Sequence, residues 1–195
     1  MARNGDLRRQ ILEQARSLLL AEGYAQVSMR KIANAVGCTP TSIYLYFDSK
    51  DSLFHSLIEE GMTRLYEQLE TVVSMYADPG DRFRRLCRGY LEFGLENPEF
   101  YEIMFLLHPE QMMRYPTEKY RKARRNLQIF ADAIADSRPG EPNSDAILSA
   151  TVVWSLLHGA ISLHLAKRVD TNLSTPSFIE QVVEHSVQML QPHNP

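Results

Sequence analysis

The chain has 195 residues, 44% of them apolar, with a net charge of −3 and two cysteines. That length fits one compact unit or two small ones, and the apolar share is ample for a core. The charge excludes a protein that holds polyanions by bulk attraction, and Cys38 and Cys87 give neither a disulfide framework nor a metal-ligand spacing.

Alternating runs bounded by hairpin turns are almost absent, while helical periodicity is nearly continuous, so the expected fold is all-α. Leu7, Ile11, Leu12, Ala15, Leu18 and Leu19 form one stripe of a first helix, which Glu22 and Gly23 end. The stretch VSMRKIANAVGCTPTSIYLYFDSKDSL follows, from Val27 to Leu53. Ser28 suits the cap of a short helix whose buried face is Met29, Ile32, Ala33 and Val36. Gly37 suits its C-terminal stop. Thr39 suits the cap of a second helix, with Pro40 at the first helical position, where a missing N–H costs nothing. Ile43 and Phe47 turn inward; Thr41, Ser42, Tyr44, Leu45 and Tyr46 face elsewhere. Tyr44 and Tyr46 diverge by roughly 160°, so both cannot be core. Helix, Gly-containing turn and second helix opening on small polar residues is the helix-turn-helix order, whose second helix enters the DNA major groove.

The charge is uneven in the same sense. Seven basic and five acidic residues give the segment 1–55 a net +2 and leave −5 for the remainder. A mildly basic head on an acidic body suits local phosphate contact.

A long fourth helix is expected from Ser49 to about Ala77, with Leu53, Leu57, Ile58, Leu65, Leu69, Val72 and Tyr76 inward; Asp78, Pro79 and Gly80 break it. A fifth runs from Pro79 to Glu96, a short apolar sixth from Pro98 to Leu107, and a seventh from Pro116 to about Asp136. Met112, Met113 and Tyr115 fall in a linker, and Ser137 to Ser144 reads as a polar, exposed loop. Ala146 to Ala166 is apolar on nearly every side, which implies burial all round. Phe178 to Leu190 presents Ile179, Val182, Val183, Ser186, Val187 and Leu190 on one face. Two such helices can pair with their symmetry mates into a four-helix bundle. With no leader and no 18-residue apolar run, a soluble, cytoplasmic protein with no membrane partner is expected.

The residues Ser28 to Ala33, Ala35 to Gly37, Ile43 to Phe47 and Lys50 to Leu53 resemble the N-terminal DNA-binding domain of the TetR family of bacterial regulators. The resemblance covers about the first quarter of the chain. It implies a three-helix helix-turn-helix domain, residues 1–50, and a C-terminal helical ligand-binding and dimerisation domain, residues 51–195. It also implies homodimers through the last two helices. It places Ser28, Arg30, Tyr44, Tyr46 and Lys50 at the sugar–phosphate backbone, and Thr39, Pro40, Thr41 and Ser42 at the groove floor. One departure stands out: the family often has Gly where this chain has Thr41. Trp154 to Gly159 also resembles a W-x-x-x-H-G pattern of one TetR subgroup.

In the body, Tyr90, Phe93, Tyr101, Met104, Phe105, Trp154 and His158, with Phe100, Met112 and Met113, form an aromatic and Met-rich set. It is either ordinary core or the lining of a largely apolar effector pocket. His158 and His164 are roughly 120° apart around their helix, a poor metal pair. The basic runs at 82–88 and 119–125 read as solvated faces, or as the holder of an anionic ligand end. No Ser/His/Asp set or Gly-rich phosphate loop appears, so neither an enzyme nor a cofactor is expected. The expected function is that of a repressor released from a palindromic operator on duplex DNA by a small effector. Two alternatives remain: a DNA-binding regulator without an effector, and a helical ligand-binding protein with no DNA function.

Overall fold

The computed structural model describes residues 2–105, 117–138, 143–170 and 172–190. Among these the regular structure is helical throughout: α1 (Ala2–Glu22), a 3₁₀ turn (Tyr24–Gln26), α2 (Met29–Val36), α3 (Pro40–Tyr44), α4 (Lys50–Met75), α5 (Pro79–Glu96), α6 (Pro98–Phe105), α7 (Thr117–Ser137), α8 (Asn143–Leu165) and α9 (Thr175–Gln188). The expected linker residues Met112, Met113 and Tyr115 lie outside the described residues, as does the end of the sixth helix beyond Phe105.

The chain condenses into two units. The first comprises Met1–Gly61 and Glu99–Lys119, the second Met62–Pro98 and Tyr120–Pro195. α4 contributes residues to both.

In the first unit, Ile11, Leu12, Ala15 and Leu19 bury the inner face of α1 against α2. Met29, Ile32 and Ala33 answer from α2, Ile43 and Phe47 from α3 and the turn after it. Each buried Leu, Ile, Met or Phe side chain among these contributes about 1.5–3 kcal/mol. Val36, expected inside, is only half-buried. Leu53, Phe54 and Leu57 close the core from α4. α6 joins the same unit through Phe100, Tyr101, Ile103 and Met104, all buried. It meets α4 at Gly61, where an added Cβ would stand 2.5 Å from Met104 Sδ. Glycine there is the condition for that approach.

In the second unit, α5 packs on both α8 and α9. Asp78 caps α5 by accepting from Asp81 N at 2.8 Å, and Pro79 occupies its first turn. Phe83 and Tyr90 meet Phe130 of α7 edge to face, with centroids 6.4 and 6.1 Å apart. Arg82 closes the α4–α5 turn: its Nε donates to Tyr76 O at 2.9 Å and its Nη2 to Ala77 O at 2.8 Å.

α8 corrects the expectation of burial all round. Ala146, Ala150, Val153, Leu157, Ala160 and Ile161 are buried, but Leu148 (64% exposed), Val152 (44%) and Leu163 (50%) are not. At positions 148, 152 and 163, with Gly159 between, they share one side of the helix. Space beyond the Gly159 α-carbon is open to at least 4 Å. Asp145–Leu165 also has the length and apolarity of a membrane-crossing helix, against the expectation that the chain holds no such run. Apolarity on all sides reflects two different coverings: α5 and α9 on one, and an uncovered stripe on the other.

Candidate functional site

The turn between α2 and α3 is built as its residue types require. Ser28, extended at φ −136°, accepts from Lys31 N at 3.3 Å and starts α2. Gly37 ends it at φ +77°, a left-handed conformation that would cost a residue with a Cβ about 1–2 kcal/mol. Cys38 N donates to Ala33 O at 3.0 Å and Gly37 N to Asn34 O at 3.2 Å, the paired closure of a Schellman motif. Thr39 then caps α3, accepting from Ser42 N at 3.2 Å.

α3 itself is short. It ends at Tyr44, and Tyr46 N and Phe47 N both fold back to Ile43 O, at 2.9 and 3.0 Å. This places Ile43 and Phe47 inside while Tyr44 (52% exposed) and Leu45 (79%) stand in solvent and Tyr46 is half-buried. The two tyrosines diverge as their spacing dictates, and neither is core. Leu45 does not pack on the next helix. At the start of α3, Thr39 and Ser42 hold each other, with hydroxyl oxygens 2.9 Å apart. Pro40 is half-buried, and Thr41 is exposed, its side chain open.

The cations of the first unit sort themselves by partner. Arg9 pairs with Asp6 and Glu13, which hold its guanidinium pKa above the ordinary value, the Asp6 hydrogen bond contributing most. Arg16 pairs with Glu99 and sits 4.7 Å over the Phe100 ring. Lys31 pairs with Glu22. Arg30 is exposed with no carboxylate partner among the described residues.

Lys50 has an internal task that its place in the motif does not announce. Its ammonium donates to Tyr24 O at 2.6 Å and Val27 O at 2.9 Å, and lies 3.8 Å from the centroid of the Tyr24 ring. Burial lowers its pKa, against a smaller upward pull from Asp51. The Tyr24 hydroxyl donates to Asp51, so the first turn of α4 grips the 3₁₀ turn from both sides. Burial, then the Asp51 hydrogen bond, drives the Tyr24 pKa upward. Two of the three Lys50 donors are thereby committed within the unit.

The candidate effector residues divide between the units. Tyr101, Met104 and Phe105 lie on α6 in the first, where Tyr101 is buried and meets the tilted Phe105 ring with centroids 4.8 Å apart. Tyr90 and Phe93 of α5, with Trp154 and His158 of α8, lie in the second. There Trp154 Nε1 donates to the Tyr90 hydroxyl at 2.6 Å, and the Trp154 and His158 rings are 5.7 Å apart. Burial lowers the His158 pKa.

The basic run at 82–88 is not a free solvated face. Arg84 pairs with Glu184 and Arg88 with Glu180, two rungs that fasten α5 to α9. Arg82 reaches Asp136 at 2.6 Å, and Arg85 lies 5.0 Å over the Tyr76 ring. Of the run at 119–125, Arg124 and Arg125 are exposed, and Arg125 sits 5.9 Å over the Tyr66 ring.

Comparison with known proteins adds two domain matches. Residues 11–57 match the family of bacterial regulatory proteins named for tetR, and residues 83–190 match a tetracyclin repressor-like C-terminal domain. Solved structures share the fold over nearly the whole chain. A candidate regulatory protein, SCO4313, is 22% identical over 97% of each chain, with a TM-score of 0.79. A TetR family transcription regulator from Marinobacter aquaeolei is 20% identical over 97% of this chain and 98% of its own, with a TM-score of 0.73. A fatty acid degradation regulator from Bacillus halodurans is 18% identical over 94% and 93%, with a TM-score of 0.72.

Proposed function

We propose, for a chain that belongs to the tetR family of bacterial regulatory proteins and is a transcription regulator, that it is a repressor released from a palindromic operator by a small, largely apolar ligand. Residues 1–50 serve as the DNA-binding domain and residues 51–195 as the effector and dimerisation domain, in the cytoplasm. The observation that carries the reading is the presentation of α3. Its cap is fixed by Thr39 and its inner face by Ile43, so Thr41, Tyr44 and Leu45 are held rigidly at the surface. Short polar side chains at the start of such a helix bond to base edges or touch thymine methyls, while the phenols of Tyr44 and Tyr46, with Ser28 and Arg30, suit phosphates.

The uncovered stripe of α8 supports a homodimer. Leu148, Val152 and Leu163 are apolar surface that a second copy would bury, and Gly159 lets a partner helix come close. Two heads presented roughly 34–36 Å apart then meet successive major grooves of one palindrome. A ligand that prefers a different separation lowers DNA affinity, and operator lowers ligand affinity by the same factor. The test has two parts: selection of a bound duplex from a random pool, then a screen for compounds that shift its dissociation constant. Enrichment of a palindrome supports the reading; no enrichment at low salt sinks it.

A second reading has one observation in its favour. Trp154 Nε1 is spent on the Tyr90 hydroxyl, so the indole donor that an effector could use is already taken. A DNA-binding regulator without a small-molecule effector would look the same there. A screen in which no compound alters operator affinity would favour it.

A further inference from the structure

We propose that Arg8 on α1 is a further contact to the DNA backbone, outside the stretch from Val27 to Leu53; this rests on the reading of α3 as the DNA-reading helix. Ile11, Leu12, Ala15 and Leu19 form the buried stripe of α1; one turn toward the N-terminus it continues through the half-buried Leu7 and reaches its edge at position 8. An apolar residue there would extend the core. The chain instead places an arginine, whose guanidinium carbon lies 5.3 Å from the centroid of the Phe47 ring. Phe47 is buried and follows Tyr46 directly, so it marks the inner edge of the surface that carries Tyr44, Leu45 and Tyr46. The Arg8 side chain is exposed. Its stem covers the edge of the core while the charge emerges beside the end of α3.

Partner accounting singles Arg8 out. Arg9, one residue on, is held by two carboxylates; Arg16 and Lys31 have one each; Lys50 donates inward. Among the described residues Arg8 has no carboxylate and no hydrogen bond, so its five N–H donors are uncommitted. An uncompensated guanidinium fixed by an aromatic ring fits one class of partner, a phosphate diester, which it can meet with two parallel N–H bonds. Arg30 shares the lack of a carboxylate but sits within the motif already read; Arg8 does not.

The test uses the full chain and the duplex that it selects from a random pool, titrated between roughly 50 and 300 mM salt. Arg8→Met keeps the apolar stem over Phe47 and removes the charge. It should weaken binding by roughly tenfold and flatten the slope of log K against log salt by about 1 for each phosphate left unneutralised. Arg8→Lys should restore most of the slope, and Arg9→Met should leave it near the wild-type value. Arg8→Gln replaces Arg8→Met if the latter does not fold. A neutral variant that binds with wild-type affinity and slope overturns the proposal, as does an Arg9→Met weakening equal to that of Arg8→Met. Tyr44→Phe separates this failure from that of the parent reading. Weakening by Tyr44→Phe alone removes Arg8 and leaves α3 on the DNA. No change in either variant, or no duplex selected, overturns both.

Discussion

Beside α3 and along α5 the chain spends its arginines in opposite ways. Around α3, Arg8 and Arg30 have no carboxylate among the described residues, and Tyr44 and Leu45 stand out in solvent. Around α5 it does the reverse: Arg82, Arg84 and Arg88 are each tied to an acid on another helix. One uncovered stripe of the body is aliphatic instead, along Leu148, Val152 and Leu163 of α8. One surface is charged with aromatic posts, which suits a polyanion; the other is uncharged, which suits an apolar partner. Exposure means little until the missing partner's chemistry is read from what surrounds it.

That contrast can be broken most severely at α8. Leu148→Glu with Leu163→Glu should separate the copies, since each leucine buried in a dimer contributes about 1.5–3 kcal/mol. Sedimentation should then report monomers, and operator affinity should fall more than about a hundredfold. A dimer that survives the double substitution would move the interface elsewhere. Next comes the head's own scaffold. Ile32→Ala should cost the first unit about 2–5 kcal/mol by leaving a cavity, read as an earlier denaturant midpoint. The same substitution in an exposed position of α2, Asn34→Ala, should change little.

Lys50→Met sharpens the comparison in a different direction. It should cost about 1–2 kcal/mol, because two backbone carbonyls lose a charged donor at a half-exposed site. Burial lowers the Lys50 pKa on folding, so between that lowered value and 10.5 the unfolded chain holds more protons. This group's contribution to stability therefore grows as pH rises through that window, and Lys50→Met should abolish that part of the slope in a series of melts. The smallest effect belongs to the ion pairs of α5 and α9. The hydrogen bond from Arg84 lowers the Glu184 pKa, so its contribution is present above the usual carboxylate range and fades as pH falls through the lowered value. Glu184→Gln should flatten the acid limb of a stability profile and leave the neutral plateau almost unmoved.

How far the sequence went depended on whether the cause of a feature was local. Ser28, Gly37 and Thr39 act within four residues of themselves, and each does what its type implies. α5 spans the expected Pro79 to Glu96 for the same reason: Asp78 and Pro79 start it without help. The faces of α8 were not legible, because composition says that a side is apolar but not what covers it. The fate of Arg84 and Arg88 was hidden likewise, since their acids lie roughly a hundred residues away and only the antiparallel seat of α9 on α5 brings them together. Lys50 is the instructive middle case. Its motif position suggested an outward charge, while Tyr24 and Val27, in a turn with no strong signal of its own, draw it inward.

Gly61 carries a consequence for how this sequence can drift. It is the last α4 residue of the first unit, and a glycine inside a helix gives up about 1 kcal/mol relative to alanine. Helix propensity alone would favour alanine there, but the new methyl would need Met104 to shift. Positions 61 and 104 are thus an epistatic pair: a chain that fills the first is expected to trim the second, and one that keeps the methionine keeps the glycine.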